Sequence, residues 1–97
     1  MSSQYRTLVK IVAADGKADE LTRYVLGVIP EIRKVDGLLS LEPNVDEKAP
    51  DTLYLYYAWE SREKEAAYVA SEFCKGILAG MAPLRRENQR IQLKRLD

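Results

Sequence analysis

The sequence predicts an α+β fold: one four-stranded antiparallel sheet with two helices on one face. Three observations predict it. Four stretches alternate in the manner of a half-buried strand, and two others repeat apolar residues at helical spacing. These stretches come one after another in the order β-α-β-β-α-β, the split βαβ pattern. The middle two strands are joined by a polar loop, residues 46–51, so they form an antiparallel hairpin with a longish connection.

Residues 1–4 read as a frayed end. Residues 5–14 read as the first strand, with Tyr5, Thr7, Val9, Ile11 and Ala13 on the drier face and Arg6, Leu8, Lys10 and Val12 on the other. The drier face belongs under the helices. Asp15-Gly16 ends this strand with turn chemistry. A helix then covers residues 17–34, because Ala18, Leu21, Val25, Val28, Ile32 and Val35 recur at steps of three and four, with Ile29 widening the stripe. Pro30 removes one hydrogen bond inside it and predicts a kink. Asp36-Gly37 closes the helix. The second strand covers residues 38–45, with Leu39, Leu41 and Val45 on one face. Pro43 cannot donate to a ladder, which places this strand at a sheet edge.

The third strand, residues 52–60, organises the chain. Leu53, Leu55, Tyr57 and Trp59 share one face; Thr52, Tyr54, Tyr56, Ala58 and Glu60 share the other. Ser61 then caps a second helix, and Glu63 and Glu65 suit its positive end. Its expected buried face is Ala66, Val69, Ala70, Phe73 and Ile77, with a break near residues 71–73 and a stop at Pro83. The last strand fits residues 87–96, with Ile91 and Leu93 inward and Arg90, Gln92 and Lys94 outward.

The chain has 97 residues, enough for one domain spanning 1–97 with a modest core. Lys plus Arg and Asp plus Glu are 15 each, so no net charge draws it to nucleic acid or an anionic membrane. A lone cysteine, Cys74, forms no intrachain disulfide, and with no leader-like segment at the start the expectation is a cytoplasmic protein. No apolar run is long enough to span a bilayer. There is no histidine. That removes His-ligated metal and haem sites and every Ser-His or Cys-His pair, so acid–base work falls to Glu, Asp, Tyr, Lys, Cys or the substrate. With no Gly-rich dinucleotide fingerprint after a strand either, no cofactor is expected.

Two helices on one face leave the other face bare. Tyr54, Tyr56, Leu8 and Val12 would meet there, and a contiguous apolar patch of that kind marks a contact surface. Pairing two such sheets face to face would bury it, so a homodimer is expected.

Three segments resemble one family. Residues 14–21, ADGKADEL, resemble its strand, Pro-Gly-Lys and acidic helix entry. Residues 35–40, VDGLLS, are similar to its Glu-Pro-Gly-Cys-Leu segment. Trp59-Glu60-Ser61, with Tyr68-Val69-Ala70-Ser71 after it, is similar to its Trp-x-Ser and His-x-x-Ser stretch. The family is that of the antibiotic biosynthesis monooxygenase (ABM) domain, and the resemblance covers residues 8–81. It implies a ferredoxin-like fold dimerised as an α+β barrel. For some members it also implies oxygen insertion into phenols or quinols without metal or flavin. The chain departs from the pattern where chemistry would sit. Tyr57 stands in place of a frequent Glu, Tyr68 in place of a frequent His, and Phe73 in place of a further His.

The pocket candidates are therefore Tyr57, Trp59, Tyr68 and Phe73, and the expected ligand is a small phenol, quinol or polyketide-like aromatic. No catalytic residue is assigned. Beside this stands the reading of Tyr57 and Trp59 as core aromatics and of Tyr68 as a helix tyrosine at the protein edge. The alternative to an enzyme is a binding or structural dimer that has kept the fold without the polar site. Cys74, with no histidine to activate it, reads as an inert buried thiol. Arg85, Arg86, Arg90, Lys94 and Arg95 make the last strand basic. RNA-recognition domains share this element order, but the Lys/Arg-Gly-Phe-type signature is missing, so the run reads as a solvated strand edge and no nucleic-acid partner is expected.

Overall fold

The structure, a computed structural model, describes residues 5–97; the expected frayed end lies outside the described residues. The strands are β1 (Tyr5–Ala13), β2 (Leu38–Asp46), β3 (Ala49–Trp59) and β4 (Arg85–Lys94). They form one antiparallel sheet in the order β2-β3-β1-β4. The helices are α1 (Ala18–Ile32), α2 (Arg62–Ala70) and α3 (Glu72–Met81), with a 3-10 turn at Ala82–Leu84. This is the ferredoxin-like α+β arrangement, with its second helix in two pieces. Pro43 does sit on an edge strand, where its missing donor harms no ladder. Gly16 (φ 74°) and Gly37 (φ 87°) make the turns that bracket α1, in a backbone region that side chains avoid.

The helix-side face of the sheet carries Thr7, Ile11, Leu41, Leu53, Leu55, Tyr57 and Trp59, all buried. Leu21, Val25, Ile29 and Ile32 of α1 close over it. That helix continues through Pro30 and ends two residues later, where little of it remains to be disturbed.

Four details differ from the sequence expectation. The β2–β3 connection is not a six-residue loop: only Glu47 and Lys48 separate the strands, and the Asp46 carboxylate accepts the Lys48 N–H at 2.9 Å. In β2, a bulge after Leu38 takes Leu39 out of phase and leaves it 51% exposed; Val45 keeps the phase of Leu41, opposite Leu53, but is 56% exposed near the end of this edge strand, so Leu41 alone is buried. In the second helical segment the buried residues are Glu65, Tyr68, Cys74 and Met81; Ala66, Ala70 and Phe73 face solvent. Ser71 resets the helical phase there. Its extended backbone (φ −76°, ψ 153°) ends α2, and its Oγ caps α3 by accepting the Cys74 N–H at 3.1 Å.

The fourth difference concerns β4. Its register pairs Leu8 with Ile91 and Arg6 with Leu93, so Ile91 and Leu93 lie on the sheet face away from the helices. Arg90 pairs with Val9 and lies on the helix side. The inward–outward assignment of this strand is thus reversed. Both faces of the sheet carry apolar residues, and only the pairing decides between them.

Tyr24 ties α1 to α3 by donating its hydroxyl to the Ile77 carbonyl at 2.9 Å. A Cβ at Gly80 would collide with that hydroxyl and ring, whereas one at Gly76 would meet nothing. Both glycines sit inside α3, where alanine is intrinsically better by about 1 kcal/mol. We expect Gly76→Ala to stabilise the protein by up to about 1 kcal/mol. Gly80→Ala should instead destabilise it by about 1 kcal/mol, through loss of the Tyr24 bond and displacement of its ring. Urea unfolding of the two variants checks the pair; stabilisation by both would mean that the Tyr24 contact is dispensable.

Candidate functional site

The sheet and the helices enclose a cavity of about 90 Å³. Most of its wall is aliphatic, from Val25, Val28 and Ile32 of α1, Leu55 of β3, and Ile77, Leu78 and Met81 of α3. Polar groups reach it from Tyr57, Tyr68, Cys74, Glu65 and Arg90.

Three of the four residues singled out in the sequence meet here. Tyr57 and Trp59 stack with ring centroids 6.0 Å apart and planes 7° from parallel, and Tyr68 leans against Trp59 at 5.5 Å. Alternation along β3 puts Tyr57 and Trp59 on one face, and Tyr68 reaches them from α2. Trp59 is 1% exposed and its indole N–H donates to Thr7 Oγ1 at 3.4 Å, so it is a wall rather than a free donor. Phe73 stands elsewhere. It is 42% exposed, lies outside the cavity lining and touches Tyr68 edge-on at 6.3 Å. The reset at Ser71 points it away.

The Tyr68 hydroxyl is near enough to the Tyr57 hydroxyl and the Cys74 thiol for each to influence its ionisation. Burial pushes both phenols far above the ordinary tyrosine range. Burial also raises the Cys74 thiol, with the Tyr68 hydroxyl acting the other way. All three groups are therefore neutral at physiological pH. They can donate and accept hydrogen bonds; they are not bases in waiting.

Sequence reasoning missed Glu65 and Arg90. Glu65 is 2% exposed, and its two carboxylate oxygens accept from Arg90 Nε at 2.8 Å and Nη2 at 2.7 Å. The Arg90 side chain is 40% exposed and forms the rim. One signal was available: Glu65 lies three and four residues before Tyr68 and Val69, on the same helix face. Arg90 carried no comparable signal within a basic run. Two other members of that run are also engaged: Arg86 binds Asp51 at 3.3 Å and the Ala13 carbonyl at 3.2 Å, and Arg95 binds Asp97 at 3.2 Å.

Among the described residues, no three His, Cys, Asp or Glu side chains cluster to hold a metal ion. No helix among them is long and apolar enough to cross a membrane.

Fold and cavity together define a small ferredoxin-like α+β protein with a mainly apolar chamber whose lining includes the hydroxyls of Tyr57 and Tyr68. The antibiotic biosynthesis monooxygenase family model matches residues 5–79, and the chain belongs to that family. Solved structures share the fold throughout. A protein of Pseudomonas aeruginosa is 23% identical with a TM-score of 0.89, over 100% of this chain and 98% of that one. One from Nitrosomonas europaea, named for the antibiotic biosynthesis monooxygenases, is 14% identical with a TM-score of 0.87, over 99% and 93%. One from Chloroflexus aurantiacus, named likewise, is 22% identical with a TM-score of 0.80, over 98% and 95%. No curated relative matches the chain.

Proposed function

We propose that the protein is a homodimeric, cofactor-independent monooxygenase acting on a small one-ring phenol or quinol. The observation that carries this reading is the presence of Tyr57, Tyr68 and Cys74 together in the wall of a mainly apolar cavity, in a chain of this family. An aromatic ring suits the aliphatic wall, and its oxygen finds neutral donors and acceptors. Size narrows the ligand. A cavity of about 150 Å³ admits benzene. One of about 90 Å³ suits a single ring, taken with a small outward movement of its walls, better than a fused polyketide-like system.

The reaction balances without an added reductant. A hydroquinone and dioxygen give a hydroxyquinone and water: one oxygen atom enters the ring, the other leaves as water, and the substrate supplies all four electrons. The protein's part is to orient the ring and exclude bulk water. Dimerisation would join the bare sheet faces, where Leu8, Tyr54, Tyr56, Ile91 and Leu93 are only partly covered.

One observation favours a second reading, binding without turnover. No group lining the cavity is a free base: both phenols and the thiol are held neutral, and Glu65 is engaged by Arg90. A single experiment separates the two. Oxygen uptake and Trp59 fluorescence are recorded while hydroquinone, catechol and phenol are titrated into wild type and Tyr68→Phe. Uptake above the protein-free rate, with quenching, supports the oxygenase. Quenching without uptake supports the binder. Absence of both, with no rise in melting temperature, sinks the ligand site itself. Tyr68→Phe should weaken binding by about 0.5–1.5 kcal/mol while leaving the fold intact.

A further inference from the structure

We infer that the cavity selects its ligand by charge as well as by size: it takes a neutral ring and rejects the same ring bearing a carboxylate or an ammonium group, and the Glu65–Arg90 pair sets that selection. The inference rests on the proposed aromatic site and specifies its ligand further. Of the elements that line the cavity, β1, α1, β3 and α3 bring no formal charge to it. The tyrosines of α1 and β3, the Tyr68 of α2 and the thiol of α3 are uncharged donors and acceptors. The two charges are Glu65 from α2 and Arg90 from β4, and they cancel through two parallel hydrogen bonds of 2.8 and 2.7 Å.

An anionic ligand entering this chamber would leave water and find the guanidinium already committed to a carboxylate that lies closer. A cationic ligand would find both Glu65 oxygens occupied. In either case the ligand's charge is stripped of solvent without a counter-charge in return, a penalty that a neutral phenol escapes. The hydroxyls of Tyr57 and Tyr68 still serve a phenolic oxygen. The pair therefore gives the site fixed dipoles with no net charge, and its members are positioning residues for selectivity.

The pair also makes the selection reversible by mutation. Glu65→Gln keeps the side-chain shape and one acceptor but removes the negative charge, which leaves Arg90 uncompensated at the rim. That variant should accept an anion.

The test uses phenol, benzoate and benzylamine at about pH 7, where they are neutral, anionic and cationic on nearly the same ring. Binding to wild type and to Glu65→Gln is read by Trp59 quenching and by the shift in melting temperature. Wild type should bind phenol about a hundredfold more tightly than benzoate or benzylamine. Glu65→Gln should gain benzoate affinity by about tenfold or more and still reject benzylamine. Benzoate bound by wild type as tightly as phenol overturns the inference. So does a folded Glu65→Gln variant whose benzoate affinity is unchanged. If wild type binds no phenol, the proposed function fails on its own account, and benzoate gain in Glu65→Gln alone decides the charge selection. If Glu65→Gln does not fold, the wild-type order decides: phenol well ahead of both charged rings upholds the inference, and any other order ends it.

Discussion

Arg90→Gln is expected to lower the unfolding free energy by about 3 kcal/mol near neutral pH, the lower end of the range for breaking a buried ion pair. The lower end applies because Arg90 is itself 40% exposed and water replaces part of what it loses. Glu65 has no such recourse at 2% exposure, and its carboxylate would be stranded beside Tyr68, Cys74 and the aliphatic wall. Urea unfolding of wild type and variant near pH 7 measures this. A loss below about 1 kcal/mol would class the contact with exposed surface pairs. Replacing both partners, by Glu65→Leu and Arg90→Met together, should cost less than Arg90→Gln alone, because no charge is then left buried.

A double substitution, Tyr54→Asp with Tyr56→Asp, is expected to convert the proposed dimer to monomers. Both tyrosines lie on the helix-free face of β3, the central strand beside β1, with Leu8 and Ile91 nearby on the same face. Two sheets packed through this face would bury an aspartate pair from each protomer, like charges together in an apolar layer. The penalty of several kcal/mol per desolvated ion is enough to abolish association at micromolar concentration. The same residues are half-covered in one chain, so the substitution leaves the helix-side core untouched. Sedimentation velocity of wild type and variant checks the point. A monomeric wild type at high concentration would end the dimer, whatever the variant does.

Strand alternation and turn residues made most of the fold legible. A period of two is a property of the backbone, so Leu53, Leu55, Tyr57 and Trp59 had to share a face wherever β3 was placed. Pro43 pointed to a sheet edge because it lacks a donor, and β2 is an edge strand. Ser71, a serine inside a helical pattern with glycines beyond it, falls at the expected break. Tyr57 and Trp59 came together by the same alternation, whereas Tyr68 joined them through the family resemblance, because the helical stripe read from the sequence left it out.

Only the tertiary structure decided which face of β4 meets the helices, the phase of α2 and α3, and the partnership of Glu65 with Arg90. Each depends on contacts between residues far apart in the chain. Ile91 and Leu93 look inward in a sequence where apolar means buried, yet this sheet has two apolar faces and the pairing of Leu8 with Ile91 assigns them to the outer one. The helical stripe slips at Ser71 because its extended backbone rotates α3 relative to α2, and that takes Phe73 out of the site and brings Cys74 in. A basic residue on an alternating edge strand reads as solvated, and nothing local distinguishes Arg90 from Lys94. The difference is made by a carboxylate 25 residues away, buried by the packing of α2 on the sheet.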